Sequence, residues 1–124
     1  MARPQALAPT DIDTRLRAEL PHWSLVDGTL RRTFNTAGWK ATLMVVNTIG
    51  HLAEAAWHHP DLVVSYAAVE VRLSTHSAKG ITDFDFALAR KIEEVVTWNP
   101  GREGGPLEGT PSDPRFAYIK HDRE

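Results

Sequence analysis

Residues 36–60, TAGWKATLMVVNTIGHLAEAAWHHP, decide how this chain folds. Apolar residues recur there with a period near 3.6, and no proline interrupts them before Pro60, which predicts a long helix over about residues 36–57. Leu43, Val46, Gly50, Ala53 and Trp57 form one stripe, and Val45, Ile49, Leu52 and Ala56 form a second. The two together cover about half the circumference at 100° per residue. So wide an apolar surface needs two partners, a sheet for one stripe and a second helix for the other, from this chain or another subunit. At the end of the helix stand Glu54, His58, His59 and Pro60. The proline stops the helix and pushes His59 toward extended backbone.

Outward from this helix the period changes. Trp23 and Leu25, then Leu30, Arg32 and Phe34, flank Asp27-Gly28, a pairing suited to tight hairpin turns, so residues 22–35 read as a β-hairpin. Before it, Thr10 can cap a short helix whose Ile12, Leu16 and Leu20 make an i+4 stripe ended by Pro21. On the other side, Val63 to Tyr66 and Val69 to Leu73 make a second hairpin turning near Ala67-Ala68, wet on the face of Glu70 and Arg72. Ser74 to Gly80 is a loop carrying His76. Thr82 begins a third helix, with Asp85 as a short form of the capping box and Phe84, Leu88, Ile92 and Val95 on its inner face. It ends near Trp98, before Asn99-Pro100-Gly101.

The 124 residues, 42% hydrophobic, fit one domain with a real core. Residues 1–9 read as a flexible arm, 10–98 as the domain, and 99–124 as a Gly/Pro-rich extension. Phe116, Tyr118 and Ile119 make that extension apolar enough to lie on the domain or a neighbouring subunit. A net charge of -2 with mixed signs offers no basic stripe for nucleic acid. The absence of cysteine excludes disulfides and thiolate chemistry and suits a reducing compartment, the cytoplasm by default. No apolar run approaches a membrane span.

His51, Glu54 and His58 share a helical face, with His59 beside them and His76 on a loop that an antiparallel fold can bring back. Neighbouring imidazoles can hold one neutral and one protonated ring, a base and an acid together. A single metal ion fits poorly, because ligands seven residues apart on a straight helix lie about 10 Å apart along its axis. Capping of the helix C-terminus by His58 and His59 is the plainer alternative. His22, His51 and His121 read as surface or packing residues.

Glu54-x-x-x-His58-His59-Pro60, then Tyr66, His76 and Asp85 at intervals of five, nine and eight residues, resembles the signature of the pterin-4a-carbinolamine dehydratases. Leu73-Ser74-Thr75-His76 with Gly80 is also close to that family's wording, and the likeness runs over about residues 10–98. The resemblance implies an α+β fold, a four-stranded antiparallel sheet with helices packed on one face, assembled as a homodimer or homotetramer. It implies dehydration of a 4a-hydroxytetrahydropterin to the quinonoid dihydropterin without metal or organic cofactor, in recycling tetrahydrobiopterin for aromatic amino acid hydroxylation. His58, His59 and His76 would surround the pterin with Glu54 assisting. Pro60, Trp57, Thr75 and Asp85 would line the substrate, Asp85 chiefly as a cap. Two positions depart from the family: Trp57 stands where many members have aspartate, and Leu62 where they have tryptophan. The alternative is a scaffold, since relatives of this fold act as a dimerisation cofactor for a transcription factor or in Rubisco assembly. A protein partner beside catalysis would engage the extension.

Overall fold

A computed structural model describes residues 4–121. Its elements run α1 (Pro9–Glu19), β1 (Ser24–Val26), β2 (Thr29–Thr36), α2 (Trp39–Ala56), β3 (Asp61–Ser65), β4 (Ala68–Leu73), α3 (Asp83–Val96) and β5 (Ile119–Lys120), with a single 3-10 turn at His76–Ala78 and another at Pro100–Arg102. This is the α+β order predicted from the periodicities. The antiparallel sheet has the order β1-β2-β4-β3, and the short β5 pairs with β2. β2 and β4 are therefore the central strands, and α2 carries the chain across one face of the sheet from β2 to the far edge at β3.

Alternation sets which face is covered. Leu30, Phe34 and Thr36 of β2 and Val69, Val71 and Leu73 of β4 are buried, while Thr33 and Asn35 are exposed. Register aligns them, with Leu30 opposite Leu73 and Phe34 opposite Val69. A one-residue slip would turn this whole set to solvent. The first hairpin turns at Asp27 and Gly28, both with positive φ (48° and 77°), as a two-residue primed turn requires. The second turns at Tyr66-Ala67, one residue earlier than the sequence suggested.

The helices differ from expectation in rotation and capping. α1 starts from Ala8 with no side-chain cap, and Thr10 lies inside it. Pro9 explains this: it presets φ and has no N–H to satisfy. Leu7, placed by the sequence in a loose arm, donates its N–H to Ile81 O at 2.8 Å and packs against the core. On α2 the buried line is Ala41, Val45, Ile49 and Ala53 with Thr42, whereas Leu43, Met44 and Trp57 are exposed. On α3 the buried set is Asp85, Phe86, Leu88, Ala89, Ile92 and Val96, leaving Phe84 and Val95 exposed, so the predicted inner face is turned by about a residue. Asp85 sets that rotation, because its carboxylate is bonded inside the protein. Where α2 starts, Gly38 has φ 153°, and a Cβ there would meet the Tyr66 hydroxyl at 3.3 Å.

One buried ion pair joins sheet to helix. The Arg32 guanidinium, 5% exposed, donates to both oxygens of Glu93 at 2.8 and 2.9 Å, and the Trp23 indole N–H donates to the same carboxylate at 2.8 Å. At the surface, Glu19 receives Arg15 (3.2 Å) and Arg90 (2.6 Å), tying α1 to α3. Partial desolvation works against its charge, but the two guanidinium bonds outweigh it and hold the carboxyl below its ordinary range.

The extension reaches the edge of β2 that β1 leaves uncovered. Ala37 N–H donates to Tyr118 O at 3.0 Å, and Thr36 and Asn35 pair with Ile119 and Lys120. Among the described residues, no helix is long and apolar enough to cross a membrane.

Removing Glu93 would strip a buried guanidinium of its carboxylate, a change that costs about 3 to 5 kcal/mol. Glu93→Ala is therefore expected to lower the urea midpoint sharply, whereas Arg32→Met with Glu93→Leu should recover most of the loss. Equal midpoints for the single and double variants would show that the pair carries no such load.

Candidate active site

The C-terminus of α2 builds one half of the site. Trp57 adopts the left-handed conformation (φ 52°, ψ 45°), its N–H reaches Glu54 O at 3.2 Å, and His58 N–H reaches Ala53 O at 3.1 Å. This is the Schellman ending, usually given to glycine. A residue with a Cβ pays about 1 to 2 kcal/mol for that backbone. The reversal sends the chain out of the helix, and Pro60 keeps the next residues extended up to β3. Successive side chains then point opposite ways. The His58 side chain is 14% exposed and turns inward, whereas that of His59 is 51% exposed and turns out.

The start of α3 builds the other half. Thr82 is the N-cap, and the reciprocal capping box with Asp85 is complete. Asp85 has no exposed surface. Its Oδ2 accepts the Thr82 N–H at 2.9 Å and the Thr75 hydroxyl at 2.8 Å, and its Oδ1 lies 2.6 Å from His58 Nε2. The Thr75 proton is spent on Asp85, so in the 2.8 Å contact between Thr75 and Thr82 the Thr82 hydroxyl donates. Thr82 Oγ1 in turn accepts the Phe84 N–H at 3.2 Å. The proton order is consistent from end to end. An ionised carboxylate only accepts, which assigns the proton between it and His58 to Nε2 and makes Nδ1 the acceptor nitrogen of the neutral ring.

A second pair stands beside the first. Glu54 Oε1 lies 2.9 Å from His59 Nε2, and the Trp57 ring meets the His59 ring edge-on with centroids 5.0 Å apart. The His58 ring makes a similar edge contact with Phe84 at 6.0 Å. Between α2 and α3 a groove of about 520 Å³ is walled by Leu52, Ala56, Trp57, His58, Phe84 and Leu88, among others. A larger hollow of about 690 Å³ lies in the extension, around Trp98, Leu107 and Tyr118, and holds none of the expected site residues. Chemistry favours the smaller one, because an imidazole with an assigned proton opens onto it.

The predicted residues thus divide. His58, Asp85 and Thr75 form one network, and His59, Glu54 and Trp57 a neighbouring cluster. His76 follows Thr75 directly and is exposed, and among the described residues no hydrogen bond joins it to His58 or His59. Pro60 is half-buried between the clusters and β3. Tyr66 lies over Gly38, at the end of α2 remote from His58. Glu54 and His58 do not share a helical face, because α2 ends at Ala56 and His58 follows the reversal. Among the described residues no three His, Asp or Glu side chains converge as a metal-binding group. Sequence reasoning left out Thr82 and Phe84; the Thr82-x-x-Asp85 box beside a helix end bearing histidine was the available signal.

The chain is similar to known proteins over most of its length. A profile described as "Pterin 4 alpha carbinolamine dehydratase" matches residues 5–95. A protein of Aquifex aeolicus (strain VF5) named "Putative pterin-4-alpha-carbinolamine dehydratase" is 49% identical over 77 residues, 62% of this chain and 78% of that one. One of the same name from Paracidovorax citrulli (strain AAC00-1) is 40% identical over 96 residues, 74% of this chain and 82% of its own. Among solved structures, a "transcriptional coactivator/pterin dehydratase from Brucella Melitensis" superposes with a TM-score of 0.68 at 29% identity, over 74% of this chain and 99% of that one. The matched region holds both histidine clusters and the whole of the sheet apart from β5, and this chain belongs to the pterin-4-alpha-carbinolamine dehydratase family.

Proposed function

We propose that this chain is a hydro-lyase removing water from the 4a-carbinolamine of a tetrahydropterin. The observation that carries the reading is the 2.6 Å contact between His58 Nε2 and the buried, donor-saturated Asp85. In the reaction the C4a–O bond breaks, the N5 proton leaves, and C4a=N5 forms; hydroxide and a proton depart as water. The chemistry needs one group to take the N5 proton and another to protonate the hydroxyl, and each transfer is worth roughly 10²- to 10⁴-fold in rate. His58, backed by Asp85 in the wall of the groove, is assigned one of these transfers, and His59, backed by Glu54 in the neighbouring cluster, is the candidate for the other. Asp85 fixes the orientation of the His58 ring, so Nδ1 can accept a proton and return it. Glu54 does the same for His59 in a wetter setting. His76, next to Thr75, completes the three imidazoles around the pterin.

The place of the reaction follows from its substrate: a 4a-hydroxytetrahydropterin is what an aromatic amino acid hydroxylase leaves behind, and the product re-enters tetrahydrobiopterin recycling, with the cytoplasm as the expected compartment. The residues involved need no metal or organic cofactor for these transfers. Subunit association as a homodimer or homotetramer would cover the exposed Leu43 and Met44 of α2.

The test is the decay of a 4a-hydroxytetrahydropterin generated in situ. The protein should exceed the uncatalysed rate, and His58→Ala should remove roughly 10²-fold or more of that gain. His59→Ala and His76→Ala are expected to be impaired as well. Asp85→Asn should depress kcat, since an amide loses one of the two oxygen acceptors that hold the His58 ring and the Thr75 hydroxyl. No acceleration by the wild-type protein would defeat the reading.

The Brucella protein is described as a transcriptional coactivator as well as a pterin dehydratase, which favours a second role for this chain, contact with another protein. The extension lies outside the region matched by the family profile, so it is the segment to remove. In a pull-down with and without residues 99–124, a partner lost with the extension supports that role, and none lost counts against it.

A further inference from the structure

Trp57 is conformationally costly and poorly buried, two features that packing alone does not explain. It is a non-glycine residue in left-handed backbone, and it is 76% exposed. Its ring lies edge-on to His59 at 5.0 Å and forms part of the groove that His58 opens onto, with Phe84, 49% exposed, also in that wall. Non-glycine residues held in this conformation with an exposed aromatic ring point to a ligand rather than to the core. The groove has room for a fused bicyclic heterocycle, being within the usual range of small-molecule sites.

We propose that Trp57 is the specificity-determining residue of the site, an aromatic platform that takes the flat face of the pterin bicycle and presents its edge to His58. The inference rests on the dehydratase reading for the identity of the ligand. The indole has no group that titrates near neutrality, so its contribution is binding shared by ground and transition states. Such binding sets KM and leaves kcat in place. The backbone role of Trp57 is separable from the role of its ring, because glycine keeps the left-handed ending while deleting the indole.

The experiment pairs Trp57→Gly, which keeps the turn, with Trp57→Phe, which keeps a ring. Affinity is measured directly by titrating 7,8-dihydrobiopterin, a pterin that does not undergo the reaction, and KM and kcat are measured on the 4a-hydroxytetrahydropterin. Trp57→Gly is expected to weaken 7,8-dihydrobiopterin binding and raise KM by about tenfold, the scale of one aromatic stack, with kcat within about twofold. Trp57→Phe should recover affinity to within about threefold. Unchanged affinity in Trp57→Gly, or a fall in kcat at constant KM, overturns the proposal. So does a change in subunit mass on sizing with pterin affinity unaltered, which would make Trp57 an assembly contact. A wild-type protein that binds 7,8-dihydrobiopterin without turning over substrate defeats the dehydratase reading alone, and the Trp57 variants are then judged on binding.

Discussion

A carboxylate with no exposed surface must be surrounded by donors, and the donors around Asp85 come from three separate parts of the chain. Thr82 supplies an N–H from the start of α3, Thr75 a hydroxyl from the loop after β4, and His58 a ring N–H from the exit of α2. Each of these segments is held by its own local rules, yet the buried charge is satisfied only when all three arrive together. Leaving such a group short of a partner costs about 1 to 3 kcal/mol, more for a charge. Among the described residues no buried side-chain polar atom lacks a hydrogen bond. Helix cap, loop position and imidazole orientation are thus one constraint. Asp85 thereby ties the exit of α2, the loop after β4 and the start of α3 to one another.

That constraint explains which parts of the molecule were legible in the sequence. Asp27-Gly28, the switch of period at residue 36 and the Thr82-x-x-Asp85 box are local signals, and each marked an element that is present. Rotation about a helix axis is not local. Phe84 and Phe86 both head acceptable apolar ladders on α3, and only the inward bonds of Asp85 choose the second. The cap of α1 was misread for a related reason: Thr10 is a good cap by type, but Pro9 one residue earlier removes the need for one. β5 was out of reach altogether, since two residues pairing with an edge more than eighty positions away leave no periodic trace. For the candidate site, the histidine spacing pointed to the exit of α2, where His58 meets Asp85. Helical geometry extended past Ala56 grouped Glu54 with His58, whereas the left-handed Trp57 reassigns Glu54 to His59.

The strain at Trp57 and the pairing of the two histidines belong together. A glycine at that position would end α2 with less cost, and the chain would still turn. What the tryptophan adds is a ring beside His59 in the wall of the groove, the feature that the proposed platform role would use.

Adjacent histidines are redundant if they see the same surroundings, and here they do not. The Schellman ending turns the chain out of α2 just before residue 58, and Pro60 disfavours helix at His59. One imidazole is thereby pressed against a buried carboxylate and the next is left beside an exposed one, with side-chain exposures of 14% and 51%. Two chemically identical side chains one residue apart thus sit in different surroundings, one against a buried carboxylate and one against an exposed carboxylate. The reversal at Trp57 supplies this asymmetry at the smallest possible separation along the chain, giving Asp85 to one ring and Glu54 to the next.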